Sequence, residues 1–174
     1  MAQKNGNDEP NLAPLFCLVG GGLLGAAWQR DQTEETKKSR AEREFPDKVE
    51  EVRDEIEHAL DSWQPGEDNT MEDDFVKDLA KHIRAETGYI VEVNPSTREW
   101  RPDILVEAAV ALEIKVNPSK GERDRCVGQC AGYSRLWATW IVLIDASPSG
   151  EQDLYDLLVD KGLDHIDLSN ILVD

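Results

Sequence analysis

Cysteine, histidine and basic side chains are the scarce commodities of this 174-residue chain. Three cysteines, Cys17, Cys126 and Cys130, are too few and too badly spaced for a disulfide framework, which points to a reducing compartment, the cytoplasm. Cys126 and Cys130 stand four apart with no third or fourth metal-spaced partner, so they read as small core side chains. His58, His82 and His165 offer no zinc spacing and no Ser/His/Asp arrangement. The run Gly20-Gly21-Gly22 lacks the lysine and following helix of a phosphate-binding loop. Nineteen basic against 36 acidic side chains leave a net charge of −17. Such a chain repels polyanions at long range, which excludes a generic nucleic-acid coat protein.

The charge is uneven. Arg98, Arg101, Lys115, Lys120, Arg123, Arg125 and Arg135 fall in one stretch with six acids, so that stretch nets +1 and the remainder −18. An anionic substrate would meet the protein there, with Lys120, Arg123, Arg125 and Arg135 as its basic rim. The acidity elsewhere fits a salt-adapted surface as well as it fits an ordinary acidic protein.

Three parts follow along the chain. Residues 1–28 contain an uncharged stretch that begins at Leu12 and ends at Trp28. As a helix it would reach about 26 Å, the lower limit for spanning a bilayer. Two readings stand: a membrane anchor, which by the positive-inside bias leaves the C-terminal domain in the cytoplasm, or an apolar tail covered by a partner. Residues 29–69 form a charged linker followed by an amphipathic helix. Its stripe of Val49, Val52, Ile56, Leu60 and Trp63 packs either on the domain that follows or on a second copy of the chain, as a homodimer.

Residues 70–174 form the domain proper. A helix capped at Thr70, with Asp73 three positions on, runs to Glu86 with Phe75, Val76, Leu79 and Ile83 on its buried face. Strands follow at 89–93 and 101–106. Between Val110 and Val116, apolar side chains alternate with Ala111, Glu113 and Lys115, the period of two of a third strand. A helix over 122–137, a fully apolar strand over 139–144, a helix over 151–161 and a last short strand within 165–173 complete an α/β layered domain of order αβββαβαβ. The turn at Glu107-Ala108-Ala109 has no glycine or asparagine to tighten the hairpin.

On the third strand Glu113 and Lys115 share one face, and the hairpin brings Asp103 beside them. Two carboxylates and an ammonium suit phosphodiester hydrolysis. Hard oxygens hold Mg²⁺, the ion acidifies water, and the ammonium meets charge building on the phosphate. As a bare pattern, Asp-x₉-Glu-x-Lys also describes an ion-pair cluster on a solvated strand.

The runs Arg101-Pro102-Asp103-Ile104-Leu105-Val106 and Ala111-Leu112-Glu113-Ile114-Lys115-Val116 resemble the PD-(D/E)XK nuclease superfamily. Gln129 and Tyr133 on the next helix look like the Gln-x-x-x-Tyr element of its RecB-like branch. The resemblance covers about residues 72–145. It implies a restriction-endonuclease-like αβββαβ core, a mixed central sheet flanked by helices, and a metal-dependent nuclease acting on DNA with Mg²⁺ or Mn²⁺. It also implies roles: Asp103, Glu113 and the Ile114 carbonyl as metal ligands, assisted by Glu72, with Asp73 and Asp74 as rivals for that place. Lys115 would serve the attacking water, Gln129 would hold Lys115 or the substrate backbone, and Tyr133 would line the site. The Asp–Glu spacing is near the short end for the family. The four cysteines of its iron–sulfur relatives are missing, so no cluster is expected. The alternatives are a catalytically idle DNA-binding or assembly module held at a membrane, and a scaffold whose interaction surface is the amphipathic helix.

Overall fold

The computed structural model describes residues 38–96 and 100–173. The uncharged stretch bounded by Leu12 and Trp28 lies outside them, and among the described residues no helix is long and apolar enough to cross a membrane. Three helices, α1 (Arg40–Glu44), α2 (Pro46–Ser62) and α3 (Glu72–Thr87), precede strands β1 (Val91–Val93), β2 (Ile104–Val106) and β3 (Val110–Val116). Helix α4 (Lys120–Tyr133), β4 (Ala138–Ile144), α5 (Pro148–Asp160) and β5 (Asp167–Ile171) follow. The protein is α/β, with one mixed sheet in the order β1-β2-β3-β4-β5. β1, β2 and β3 run antiparallel to their neighbours, whereas β3, β4 and β5 are parallel.

The period of two in β3 divides the interior. Val110, Leu112 and Ile114 join Val142 and Ile144 against α2 and α3. Ala111, Ile141 and Leu143 face the opposite way, against Cys126, Cys130 and Tyr133 of α4 and Leu154 and Leu158 of α5. Both layers therefore need the fully apolar β4, buried on each face.

α2 packs on the domain that follows it. Val49, Val52, Ile56 and Trp63 belong to one cluster with α3 and the sheet, so residue 70 does not separate two cores. The charged stretch before α2 also docks at its end: Ser39 and Ala41 are buried, and the Arg40 and Ala41 amides donate to the Arg135 and Leu136 carbonyls at 3.0 Å each.

Element ends differ by local chemistry. The N-cap of α3 is Met71, not Thr70, because the Asp74 carboxylate accepts from the Met71 amide at 3.1 Å. Asp73 instead pairs with Lys77 at 2.5 Å. Gly88, left-handed at φ +71°, ends α3 and donates to the Arg84 carbonyl. β2 starts at Ile104, since Pro102 has no amide to pair. α4 starts early, at Lys120, closed by Ser119 and Glu122, and α5 starts at Pro148 behind the Ser147 cap.

The β2–β3 turn is tight despite its residues. Glu107 and Ala108 both take left-handed backbone, at φ 52° and 51°, and the Ala109 amide closes onto the Val106 carbonyl at 2.9 Å. Glu107 is held there from outside: its amide donates to the Ile90 carbonyl at 2.9 Å, its carboxylate accepts from the Ile90 amide at 2.8 Å, and Lys48 pairs with it at 3.1 Å.

Candidate active site

Three elements meet around the Lys115 ammonium. β3 carries Glu113 and Lys115 on its α4 side, next to Ala111. The β2–β3 register pairs Ile104 with Leu112, so Asp103, one residue earlier, comes opposite Glu113. The Ile114 amide fixes Asp103 by donating to its Oδ2 at 2.8 Å. Glu72, the first residue of α3, reaches in from the end of its helix.

Lys115 Nζ lies 3.0 Å from Glu113 Oε1, 3.0 Å from Glu72 Oε1 and 3.7 Å from Asp103 Oδ2, and it donates to the Ile114 carbonyl at 2.6 Å. Its side chain is 6% exposed and that of Glu113 2%, whereas Glu72 keeps 45% of its surface in solvent. Burial pulls the ammonium towards its neutral form, yet Glu113, Asp103 and Glu72 together outweigh that, so Lys115 stays charged above the ordinary lysine range. Burial, then the Asp103 charge, pushes the Glu113 carboxyl up to about 7. Burial raises Asp103 as well, opposed by Lys115 and the Ile114 amide. Glu113 Oε2 is buried without a hydrogen-bond partner.

Sequence-predicted Tyr133 joins this group. Burial, then the Glu113 charge, holds its phenol protonated well above the ordinary range, and its hydroxyl donates to the Arg101 carbonyl at 2.9 Å. Gln129 sits one turn earlier on α4, its Oε1 buried with no partner. Of the two rivals to Glu72, Asp73 is bound to Lys77 and Asp74 to the Met71 amide. Two further residues, Trp100 and Gly132, escaped sequence reasoning, whereas Cys126 and Cys130 are buried core thiols as their spacing suggested. Trp100 packs edge-on to Tyr133 with ring centroids 6.2 Å apart, over Gly132. Cys130, hydrogen-bonded to Cys126 and buried, feels the Glu113 charge and stays a thiol. The glycine inside a helix was the one available signal, since glycine there marks a close approach.

The four expected rim cations do not act alike. Arg123 is committed to structure: Nη1 donates to the Pro118 carbonyl at 2.7 Å and Nη2 pairs with Asp153 of α5 at 3.1 Å. Lys120 lines a cleft with Arg123 and with Asp124, Asp153 and Asp160, a mixed rather than a basic surface. Arg135 lies past the end of α4, beside α1. Arg125 is exposed and stands four residues before Gln129 on the same face of α4. Glu122, on that face too, senses both Arg125 and Lys115. A separate cleft of about 620 Å³ between α2 and β5 contains none of the site residues.

Among the described residues no group of three or more His, Cys, Asp or Glu side chains is arranged as a ready-made metal cage. The donor set nevertheless fits a hard divalent cation: an orphaned, buried carboxylate oxygen of Glu113, the Asp103 carboxylate and the Ile114 carbonyl offer oxygen only. Comparison with protein-family models, with curated proteins and with solved structures found no match.

Proposed function

We propose that the protein is a metal-dependent nuclease that hydrolyses phosphodiester bonds in DNA, with a restriction-endonuclease-like core of the PD-(D/E)XK type. The observation that carries this reading is the convergence of Asp103, Glu113 and Lys115 at one end of a buried hairpin, with Glu113 Oε2 left without a partner. Asp103, Glu113 and the Ile114 carbonyl would hold Mg²⁺ or Mn²⁺. When bound, the cation supplies Lewis acidity for the attacking water and the scissile phosphate. Lys115 keeps its charge inside the protein, so its ammonium orients the water and offsets negative charge growing on the phosphate. Asp103 is kept in line by the Ile114 amide, and Tyr133 secures the run that leads into it through the Arg101 carbonyl.

The test is incubation with linear, circular, single-stranded and branched DNA, with Mg²⁺, over a wide salt range, beside calorimetry with Ca²⁺. Asp103→Asn or Glu113→Gln is expected to abolish both metal binding and cleavage, because each removes a negative charge that offsets the ion. Lys115→Ala is expected to keep the metal while cleavage falls about 10²–10³-fold. Wild-type protein that binds no divalent ion and cuts no DNA would overturn the assignment.

One observation favours a second reading, an idle DNA-binding or assembly module, tethered to a membrane through the stretch bounded by Leu12 and Trp28. The ammonium already occupies the middle of the acidic cluster and offsets part of its charge. DNA binding without Ca²⁺ binding by the wild type would select that reading.

A further inference from the structure

An ammonium has three N–H donors. In Lys115 each has an acceptor: the Ile114 carbonyl at 2.6 Å, Glu113 Oε1 at 3.0 Å and Glu72 Oε1 at 3.0 Å. Asp103 stands outside this set, at 3.7 Å and engaged with the Ile114 amide. Two of the three acceptor groups, the Glu113 carboxylate and the Ile114 carbonyl, would be shared with a divalent cation, which would meet Glu113 through the partnerless Oε2. A cation there repels the ammonium and draws electron density from both shared groups, which leaves Glu72 as the one acceptor of Lys115 that the cation does not share. Glu72 differs from the other two acids in kind. It comes from a helix rather than the sheet and is half exposed. It occupies the first position of α3, where the helix dipole favours a negative charge.

We infer that Glu72 is a positioning residue for Lys115 rather than a metal ligand: it retains the ammonium at the site once a cation shares the lysine's other two acceptor groups and repels its charge. The inference rests on the nuclease reading and divides the acids into two sheet ligands and one helical anchor. It also orders events. Without the cation the lysine is held three ways, and with it Glu72 is the one tie not shared with the cation, so the lysine depends on α3 most in the loaded state.

The experiment compares wild type, Glu72→Gln and Glu72→Ala in three measurements: Ca²⁺ calorimetry, the ¹H–¹⁵N signal of the Lys115 ammonium, and steady-state cleavage with Mg²⁺. Glu72→Ala is expected to bind Ca²⁺ within about threefold of wild type. Its ammonium signal is expected to persist without Ca²⁺ and to vanish on Ca²⁺ addition, while in wild type it survives both. Cleavage by Glu72→Ala should lose about 10–100-fold in kcat with KM unchanged, the scale of one charge-assisted hydrogen bond. Glu72→Gln, which keeps an acceptor without the charge, should fall between. A loss of Ca²⁺ affinity of about tenfold or more makes Glu72 a ligand and overturns the inference. So does an ammonium signal that survives Ca²⁺ in Glu72→Ala, or an unchanged kcat. Those results, in a wild type that binds Ca²⁺ and cuts DNA, leave the nuclease reading standing. A wild type that does neither removes both.

Discussion

Trp100 and Gly132 touch so closely that a Cβ on the glycine would stand 2.4 Å from the indole. The contact joins the run entering β2 to the last turn of α4, beside Tyr133. Gly132→Ala must therefore push the indole away, and Asp103 lies three residues further along the same run. The expected cost is about 1–3 kcal/mol, the range for overpacking. Urea denaturation and the near-ultraviolet circular dichroism of the tryptophans measure it, and cleavage should fall in parallel. Gly128→Ala, on the same helix with nothing within 4 Å of its added Cβ, is the control. It should be stabilising by about 0.5–1 kcal/mol. Equal effects at the two glycines would remove the clamp from the account.

Glu113 gives the protein a pH-dependent stability of known sign. Its folded-state pKa of about 7 lies above the ordinary 4.5, so between those values the folded chain holds the extra proton. Its contribution is therefore fully present below the lower value and is lost as pH rises through about 7. Glu113→Gln mimics the protonated form at every pH. The two proteins should be near parity at pH about 4, and the variant should be the more stable by about 3 kcal/mol at pH about 8. A stability difference that does not move with pH would place the proton elsewhere.

Arg123 and Arg125 should separate cleanly. Arg123→Ala breaks the tie between Pro118 and Asp153, so it is expected to lower stability by about 1 kcal/mol, discounted for the exposed Asp153, and to leave DNA affinity alone. Arg125→Ala should leave the melting temperature unchanged and flatten the slope of log affinity against log salt by about 0.7–0.9, one phosphate contact. Reversed behaviour would return the rim to Arg123.

Ala108 is exposed and left-handed, a backbone state that costs an L residue about 1–2 kcal/mol. Ala108→Gly relieves that strain and gives back part of the gain to unfolded-chain entropy. Net stabilisation of about 0.5–1 kcal/mol is expected in thermal and urea melts. Destabilisation would mean that the turn opens rather than strains.

Much of the site was legible because its signals are local. Glu113 and Lys115 interrupt one side of an alternating strand, and a charge pair on a strand of that pattern stands out without any knowledge of its neighbours. Glu72 was singled out only through the family resemblance, with Asp73 and Asp74 as rivals, and its partner was not foreseen: it meets Lys115 across 43 residues. What stayed hidden depends on contacts that leave no period. Nothing in the run around Arg123 announces Asp153, and nothing before Asp103 announces that Trp100 rests on α4. The position of α2 was undecided for a related reason: an apolar stripe specifies that something covers it, not what. The turn misled in the opposite sense, since Glu107 is held in an unfavourable backbone state by Lys48 and Ile90, both remote in sequence.

The two spans that build the site have different lengths, and this bears on how the chain reaches its native state. Asp103 meets the Ile114 amide across 11 residues, within one hairpin, so those acids converge as soon as two adjacent strands zip together. The ammonium's tie to α3 closes a far longer loop, and the covering α4 is followed by the parallel pairing of β4, a slower kind of step. A nascent chain thus brings Asp103 and Glu113 together first and encloses them last. Mutual repulsion of these two acids opposes early collapse, and on the proposed nuclease reading a divalent ion present during refolding is expected to speed the step rather than only stabilise its product.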